Sequence, residues 1–344
     1  MRAQLLTLMI TLIFLGSVVT TLVLYTLDNN NVEPHLKKPE KKNSPQSPAS
    51  CKDCREDIKK ALQLYSQVWK KDDDNYQKFR SQLSHKCHGL EKAILTQTNT
   101  PLGSKLVYDG EKKRTLQEPL FSNKTWHTCA VVGNGGIVAN SSCGKTIDSA
   151  QFVIRCNLPP LSNGYEKHVG VRTNLVTANP SILLEKYAAL NERRRSFVEN
   201  LRSYGDSMLL LPAFSYGRNT PVSLRALYTI EDFKSPIRPV FFNPAYLQSL
   251  AVFWRSQGLK AARLSTGIIM TSLALELCEN LNLYGFWPFS IHPYSLQDLT
   301  NHYYDDRKTK VKVHAMPDEF NFLLRLHSQG VLRLHLGDCE PDEK

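Results

Sequence analysis

The chain has 344 residues, 42% of them apolar, enough to bury the core of one domain of about 200 to 250 residues with appendages. Its formal net charge of +11 comes from basic residues scattered along the sequence. That distribution favours acidic substrates or an anionic surface over nucleic acid.

Residues 5–27 carry no charge, and as a helix they span roughly 34 Å against a hydrocarbon core of about 30 Å. This predicts a transmembrane anchor behind a short tail, residues 1–4. A cleaved signal peptide has a shorter apolar region and a small-residue cleavage site, whereas the flank here reads YTLDNNN. Counting Arg2 and the terminal amine against Lys37, Lys38, Lys41 and Lys42 places the bulk of the chain in the cytosol. Eight cysteines and the sequons at Asn123 and Asn140 favour an oxidising lumen instead.

Residues 28–50, rich in Pro, Asn, Ser and Lys, read as a stem. Ile58, Leu62, Tyr65 and Trp69 then recur at three- and four-residue steps, predicting a helical neck up to residue 100 and a globular domain over 101–344. Asp72, Asp73 and Asp74 read as a solvated acidic run in that neck. Cys51, Cys54 and Cys87 do not match zinc-ligand spacing, so local or intermolecular disulfides are expected, the latter joining a homodimer through the neck.

From about residue 125 short apolar runs alternate with helical patterns, which predicts an α/β architecture. CAVVGNGG reads as strand then turn, and QFVIRCN as a buried strand ending at Asn157. In LSTGIIMTSLALELCENLNLYGFW a helix carrying Ile269, Leu273, Leu277 and Leu281 precedes a strand. Near the C-terminus Pro317, Asp318 and Glu319 open a helix whose Phe320, Leu323, Leu324 and His327 share a face, and Gly330 ends it before a strand over 331–334.

CAVVGNGGIVANSSCGKT, residues 129–146, contains two incomplete nucleotide fingerprints. A dinucleotide turn needs a third Gly where Val138 stands, and a phosphate loop needs Gly where Ala139 stands. What remains is a Gly-rich turn after a strand, which exposes backbone N–H groups to a ligand or is simply a tight loop.

Residues 129–181 resemble the large sialyl motif of animal sialyltransferases. RLSTGIIMTSLALELCENLNLYGFWPF resembles the small motif, HYYD at 302–305 the third, and HAMPDE at 314–319 the very small one. The variants GNGG, RCNLPP, LYGFWPF and HYYD are most similar to the α-2,8 branch, and YGDSMLLLPAFS to the member acting on sialylated O-glycans. The resemblance implies a Rossmann-like, GT-A-type fold with a single nucleotide-sugar-binding catalytic domain. It also implies inverting, metal-independent transfer from CMP-sialic acid to the 8-hydroxyl of a terminal sialic acid on glycoprotein or glycolipid glycans, by a type II protein of the Golgi membrane. No cofactor is expected beyond this donor.

On the residues alone, Asn134 and Asn157 fit turn formers, Ser265 an N-cap and Trp287 a core side chain. The resemblance assigns all four to the donor, with Thr266, Gly267, Asn301 and His302. It makes His314 the general base and His302 the stabiliser of the departing phosphate, with Tyr303 and Asp305 orienting the neighbourhood. It pairs Cys129 with Cys278 and Cys143 with Cys339, and leaves Cys156 a buried free thiol. Another linkage, α-2,3 or α-2,6, and an inactive glycan-binding relative are the alternatives. HYYD with LYGFWPF weighs against the first, and the presence of both histidines against the second. Residues 235–264 hold only Arg238, Arg255, Lys260 and Arg263 as cations, which favours short additions over long polymers.

Overall fold

Apolar runs of three to seven residues become the strands of a parallel sheet: β1 (Trp126–Val132), β2 (Phe152–Arg155), β3 (Leu175–Thr177), β4 (Met208–Leu211), β5 (Arg238–Phe241), β6 (Cys278–Tyr284) and β7 (Arg333–His335). The structure, a computed structural model, describes residues 52–65, 68–100, 120–121, 125–215, 219–261, 263–305 and 316–339. The anchor at 5–27, the stem, Cys51, Asn123 and His314 lie outside them, as does the side chain of Cys54. No helix among the described residues is long and apolar enough to cross a membrane.

The strand order is β5-β4-β3-β2-β1-β6-β7, a Rossmann-like α/β arrangement. Parallel strands need helical crossovers, which cover both faces, so a strand such as β4 is buried throughout. The helices of six residues or more are α1 (Lys52–Tyr65), α2 (Asp73–Cys87), α3 (Gly144–Ser149), α4 (Arg194–Leu201), α5 (Asn219–Asp232), α6 (Pro244–Ser256), α7 (Thr266–Leu277) and α8 (Met316–Ser328). Alternation along β1 sends Cys129 and Val131 to a core shared with α1, α2, α6, α7 and α8. Ala130 and Val132 join the core under α3, α4 and α5.

The segment read as a neck is part of this body. Tyr76, Leu83 and Cys87 on α2 are fully buried, and the compact unit begins at Cys51, so the expected boundary at residue 100 does not divide the packing. Trp69 lies beyond α1 and donates from Nε1 to the Leu332 carbonyl at 2.9 Å. Asp72 caps α2, accepting from the Asn75 N–H at 2.9 Å, and Asp73 and Asp74 sit in its first turn, where the helix dipole favours anions. The acidic run is thus a helix start. Cys87 is a buried free thiol, not a disulfide partner, because α2 turns it into the core. An expected neck homodimer gains no link from it.

Cys156 is likewise free and buried, as expected. Cys129 is bonded to Cys278, tying β1 to the start of β6, and Cys143 to Cys339, tying the chain beyond β7 to the loop before α3. The links span 149 and 196 residues, and constraining an unfolded chain that far stabilises by about 5 kcal/mol each in the entropic model. Helix α7 ends at Leu277, about one turn before the Leu281 that the four-residue rhythm suggests. Cys278 takes extended geometry, and Leu281 reaches the core from β6.

Glu276, in the last turn of α7, is fully buried, and its two carboxylate oxygens accept the Gly89 N–H at 3.0 and 2.8 Å. Burial pushes its carboxyl up to about 7, offset in part by that N–H, Ser84 and Arg80. The folded value lies above the unfolded one, so the contribution is fully present below about pH 4.5 and is lost as pH rises through about 7. In thermal denaturation between about pH 5 and pH 8 the parent should lose about 2 to 3 kcal/mol relative to Glu276→Gln, the buried His327 and His335, held down to about 4 and 3, titrating in the opposite sense in both. An equal slope in the two contradicts the assignment.

Candidate active site

The chain leaves β1 toward β2, β3, β4 and β5 on one side, then returns to place β6 on the other side of β1. Beyond β1 the chain continues to α3 on one face of the sheet, and beyond β6 to α8 on the other, so a crevice opens at this reversal. A pocket of about 340 Å³ occupies this point. Strand-end turns carrying Asn134, Asn157 and Asn179 form one side, and the starts of α7 and α8 with the loop after β6 form the other.

The glycines of GNGG have a specific task. The N–H of Gly133 donates to the Tyr284 carbonyl at 2.7 Å, and that of Gly135 to the Gly285 carbonyl at 3.0 Å. A Cβ on Gly133 would stand 2.8 Å from the Gly285 oxygen, and Gly285 itself has φ +73. These two amides are occupied by the neighbouring loop. Of the two readings of the turn, the tight loop holds for Gly133 and Gly135, and Asn134 between them lines the crevice.

Asn134 donates from Nδ2 to the Cys156 carbonyl at 2.7 Å, while its Oδ1 is buried without a partner. Such an acceptor suits a ligand's N–H or O–H. Asn157 stands at φ +64, its Oδ1 accepting from Thr177 Oγ1 at 3.1 Å and its Nδ2 lying 3.5 Å from Thr266 Oγ1. Behind it the buried Arg155 guanidinium donates to the Val169 and Arg172 carbonyls at 2.7 and 2.8 Å. That fixes the end of β2.

Ser265 caps α7, accepting from the Ile268 N–H at 3.2 Å. Its hydroxyl also donates to the Glu319 carboxylate, and its N–H donates to Glu319 Oε1 at 2.9 Å. The anion beside Ser265 is therefore a protein carboxylate from α8. Thr266 and Gly267 line the crevice next to it. Trp287 is 8% exposed, donates from Nε1 to the Ile291 carbonyl at 2.8 Å and meets Phe320 edge-on, so it is core with one surface at the crevice.

His302 pairs with Gly135 in an isolated bridge, and the Tyr303 N–H donates to the Asn134 carbonyl at 2.9 Å. Its Nδ1 lies 2.7 Å from Asp305 Oδ2, and its ring stacks on Tyr304 with centroids 5.2 Å apart. The carboxylate holds the proton on Nδ1 and leaves Nε2 for other partners. Asn301 Nδ2 sits 3.2 and 3.3 Å from the two ring nitrogens. Tyr303 donates its hydroxyl to the Pro160 carbonyl at 2.6 Å and anchors the segment.

The crevice thus assembles Asn134, Asn157, Ser265, Thr266, Gly267, Trp287, Asn301 and His302 from five separated stretches of chain. Asn140 is exposed at φ +61 between the two halves of the motif, away from this lining. Sequence reasoning missed Asn179 and gave Glu319 only a dipole role. The Asn-Pro pair closing VTANP was the available signal for a strand-end cap.

The chain matches the model of glycosyltransferase family 29 (sialyltransferase) over residues 67–331. It is 43% identical over 291 residues to alpha-2,8-sialyltransferase 8F of Homo sapiens, covering 80% of this chain and 72% of that protein. Against the alpha-N-acetylneuraminide alpha-2,8-sialyltransferase of Xenopus tropicalis it is 45% identical over 284 residues, covering 80% and 82%. A crystal structure of a mammalian sialyltransferase in complex with Gal-beta-1-3GalNAc-ortho-nitrophenol is similar at 21% identity and a TM-score of 0.44, over 82% of this chain and 86% of that one. The protein is an enzyme of glycosyltransferase family 29, the sialyltransferases, and belongs to their α-2,8 branch.

Gly133→Ala should separate the two loops. A Cβ there meets backbone rather than a flexible side chain, so a stability loss of about 1 to 3 kcal/mol and weakened CMP binding are expected in calorimetry. Unchanged CMP affinity would contradict the close approach.

Proposed function

We propose that the protein moves sialic acid from CMP-sialic acid to the 8-hydroxyl of a terminal sialic acid, with inversion and without a metal. The observation that carries this reading is His302, oriented by Asp305, beside the unpartnered Oδ1 of Asn134 in the crevice. The acceptor oxygen attacks the anomeric carbon from the face opposite CMP, the bond to the phosphate oxygen breaks, and the electron pair leaves with CMP. His314 takes the acceptor proton as general base, which a neutral imidazole does near neutral pH. His302, as an imidazolium whose Nδ1–H is held by Asp305, donates from Nε2–H to the phosphate as its charge grows. CMP leaves as a phosphate monoester, so no strong general acid is needed.

Metal independence is supported by the donor set. Among the described lining residues the carboxylate is Glu319, and it is engaged with Ser265. Disulfides between Cys129 and Cys278 and between Cys143 and Cys339 suit a lumenal domain. We place the enzyme in the Golgi membrane as a type II protein anchored by residues 5–27. Sialylated O-glycans are the proposed acceptors, extended by short additions.

A secreted chain lacking residues 1–50, given CMP-sialic acid and a panel of sialylated glycoproteins and glycolipids with chelator present, should transfer sugar. Failure with every acceptor, or dependence on added metal, overturns the mechanism. His314→Ala should abolish transfer while CMP binding persists. Asp305→Asn should lower kcat by about tenfold or more with a shifted pH profile and little change in donor KM, since it misorients His302 without removing it. A variant with the parent's kcat removes the orienting role.

A further inference from the structure

Asn179 stands two residues beyond β3 and lines the crevice with Asn157, whose Oδ1 accepts from Thr177 at the end of that strand. It begins a helical turn in the manner of an N-cap with Pro180 at the first position, its Oδ1 accepting the Ile182 N–H at 2.9 Å. That bond settles the orientation of the amide. The oxygen is turned to the chain, and the Nδ2 group is left with two donor hydrogens. No described group accepts from it, and the residue is half-buried rather than free in solvent.

The three strand-end asparagines differ in what they present. Asn134 gives its nitrogen to the Cys156 carbonyl and shows an acceptor; Asn157 and Asn179 give their oxygens to Thr177 and Ile182 and show donors. A cap alone would accept Asp, Ser or Thr in place of Asn179, because the cap uses one acceptor oxygen. Among the described residues the amide nitrogen has no partner.

Resting on the sialyltransferase reading, we infer that Asn179 is a further donor-binding residue, its Nδ2 donating a hydrogen bond to an oxygen of CMP-sialic acid. The sugar-nucleotide offers such oxygens on its CMP part and on its sialyl part. Either is an acceptor of the same chemistry. Asn179 is a binding residue and takes no part in proton transfer.

Asn179→Asp and Asn179→Ser each keep an oxygen for the Ile182 N–H and remove the amide nitrogen. Both should melt close to the parent, while Asn179→Ala, which loses the cap, should not. In the two capped variants the KM for CMP-sialic acid should rise about tenfold, the size of one lost hydrogen bond, with acceptor KM and kcat little changed. The rise should be larger for Asp, whose charge opposes the anionic donor. Inhibition by CMP alone separates the sources: a parallel loss places the oxygen on the nucleotide, and an unchanged inhibition constant places it on the sialyl group. Capped variants with the parent's donor KM overturn the assignment and leave the sialyltransferase reading standing. A parent chain that neither binds CMP nor transfers sialic acid contradicts that reading and the assignment together.

Discussion

Two loops pressed together at the middle of the sheet determine the rest of the site. Where the strand order reverses between β1 and β6, the backbone of Gly133 to Gly135 bonds directly to Tyr284 and Gly285. Side chains there would force the loops apart, and the crevice would lose its floor. With the Gly133 and Gly135 N–H groups engaged in this contact, the crevice is lined by the strand-end side chains of Asn134, Asn157 and Asn179 and by the starts of α7 and α8. The incomplete nucleotide fingerprints are explained by the same fact. The glycines answer to a neighbouring backbone, and their spacing follows that neighbour.

Helix α7 links this floor to the remainder of the molecule. Its first residues face the crevice and are held to α8 through Ser265 and Glu319. Its last turn carries Glu276 into contact with the turn after α2, and the next residue but one is cross-linked to β1. A polar or covalent tie therefore fixes each end. Such double fixing limits how far the strand-end side chains and the helix start can drift apart, which a two-sided site requires.

Much of this was legible in the sequence. Apolar runs ending at Gly133 and Asn157 gave the strands, and the four ordered motifs brought Asn134, Asn157, Ser265 and His302 to one place. Local pattern could not separate the neck from the body, since the helical rhythm through Ile58 and Tyr65 is the same whether the face is packed or free. The burial of Cys87 and Glu276 depends on contacts between residues far apart in sequence, and no period reports those. For the same reason Glu319 looked like a dipole partner of its own helix, when its partner is the start of another. Leu281 fits the helix by pattern because apolar residues four apart also suit a helix running into a buried strand.

The central claim is that CMP lies over the C-terminal ends of β1 and β2 at the reversal point. A crystal structure of the chain lacking residues 1–50, with CMP bound, tests it most directly. The account predicts a nucleotide in the crevice with Asn134 Oδ1 accepting a hydrogen bond from it and its phosphate toward His302. A nucleotide bound elsewhere, or in the crevice with Asn134 and His302 both out of hydrogen-bond reach, would contradict it.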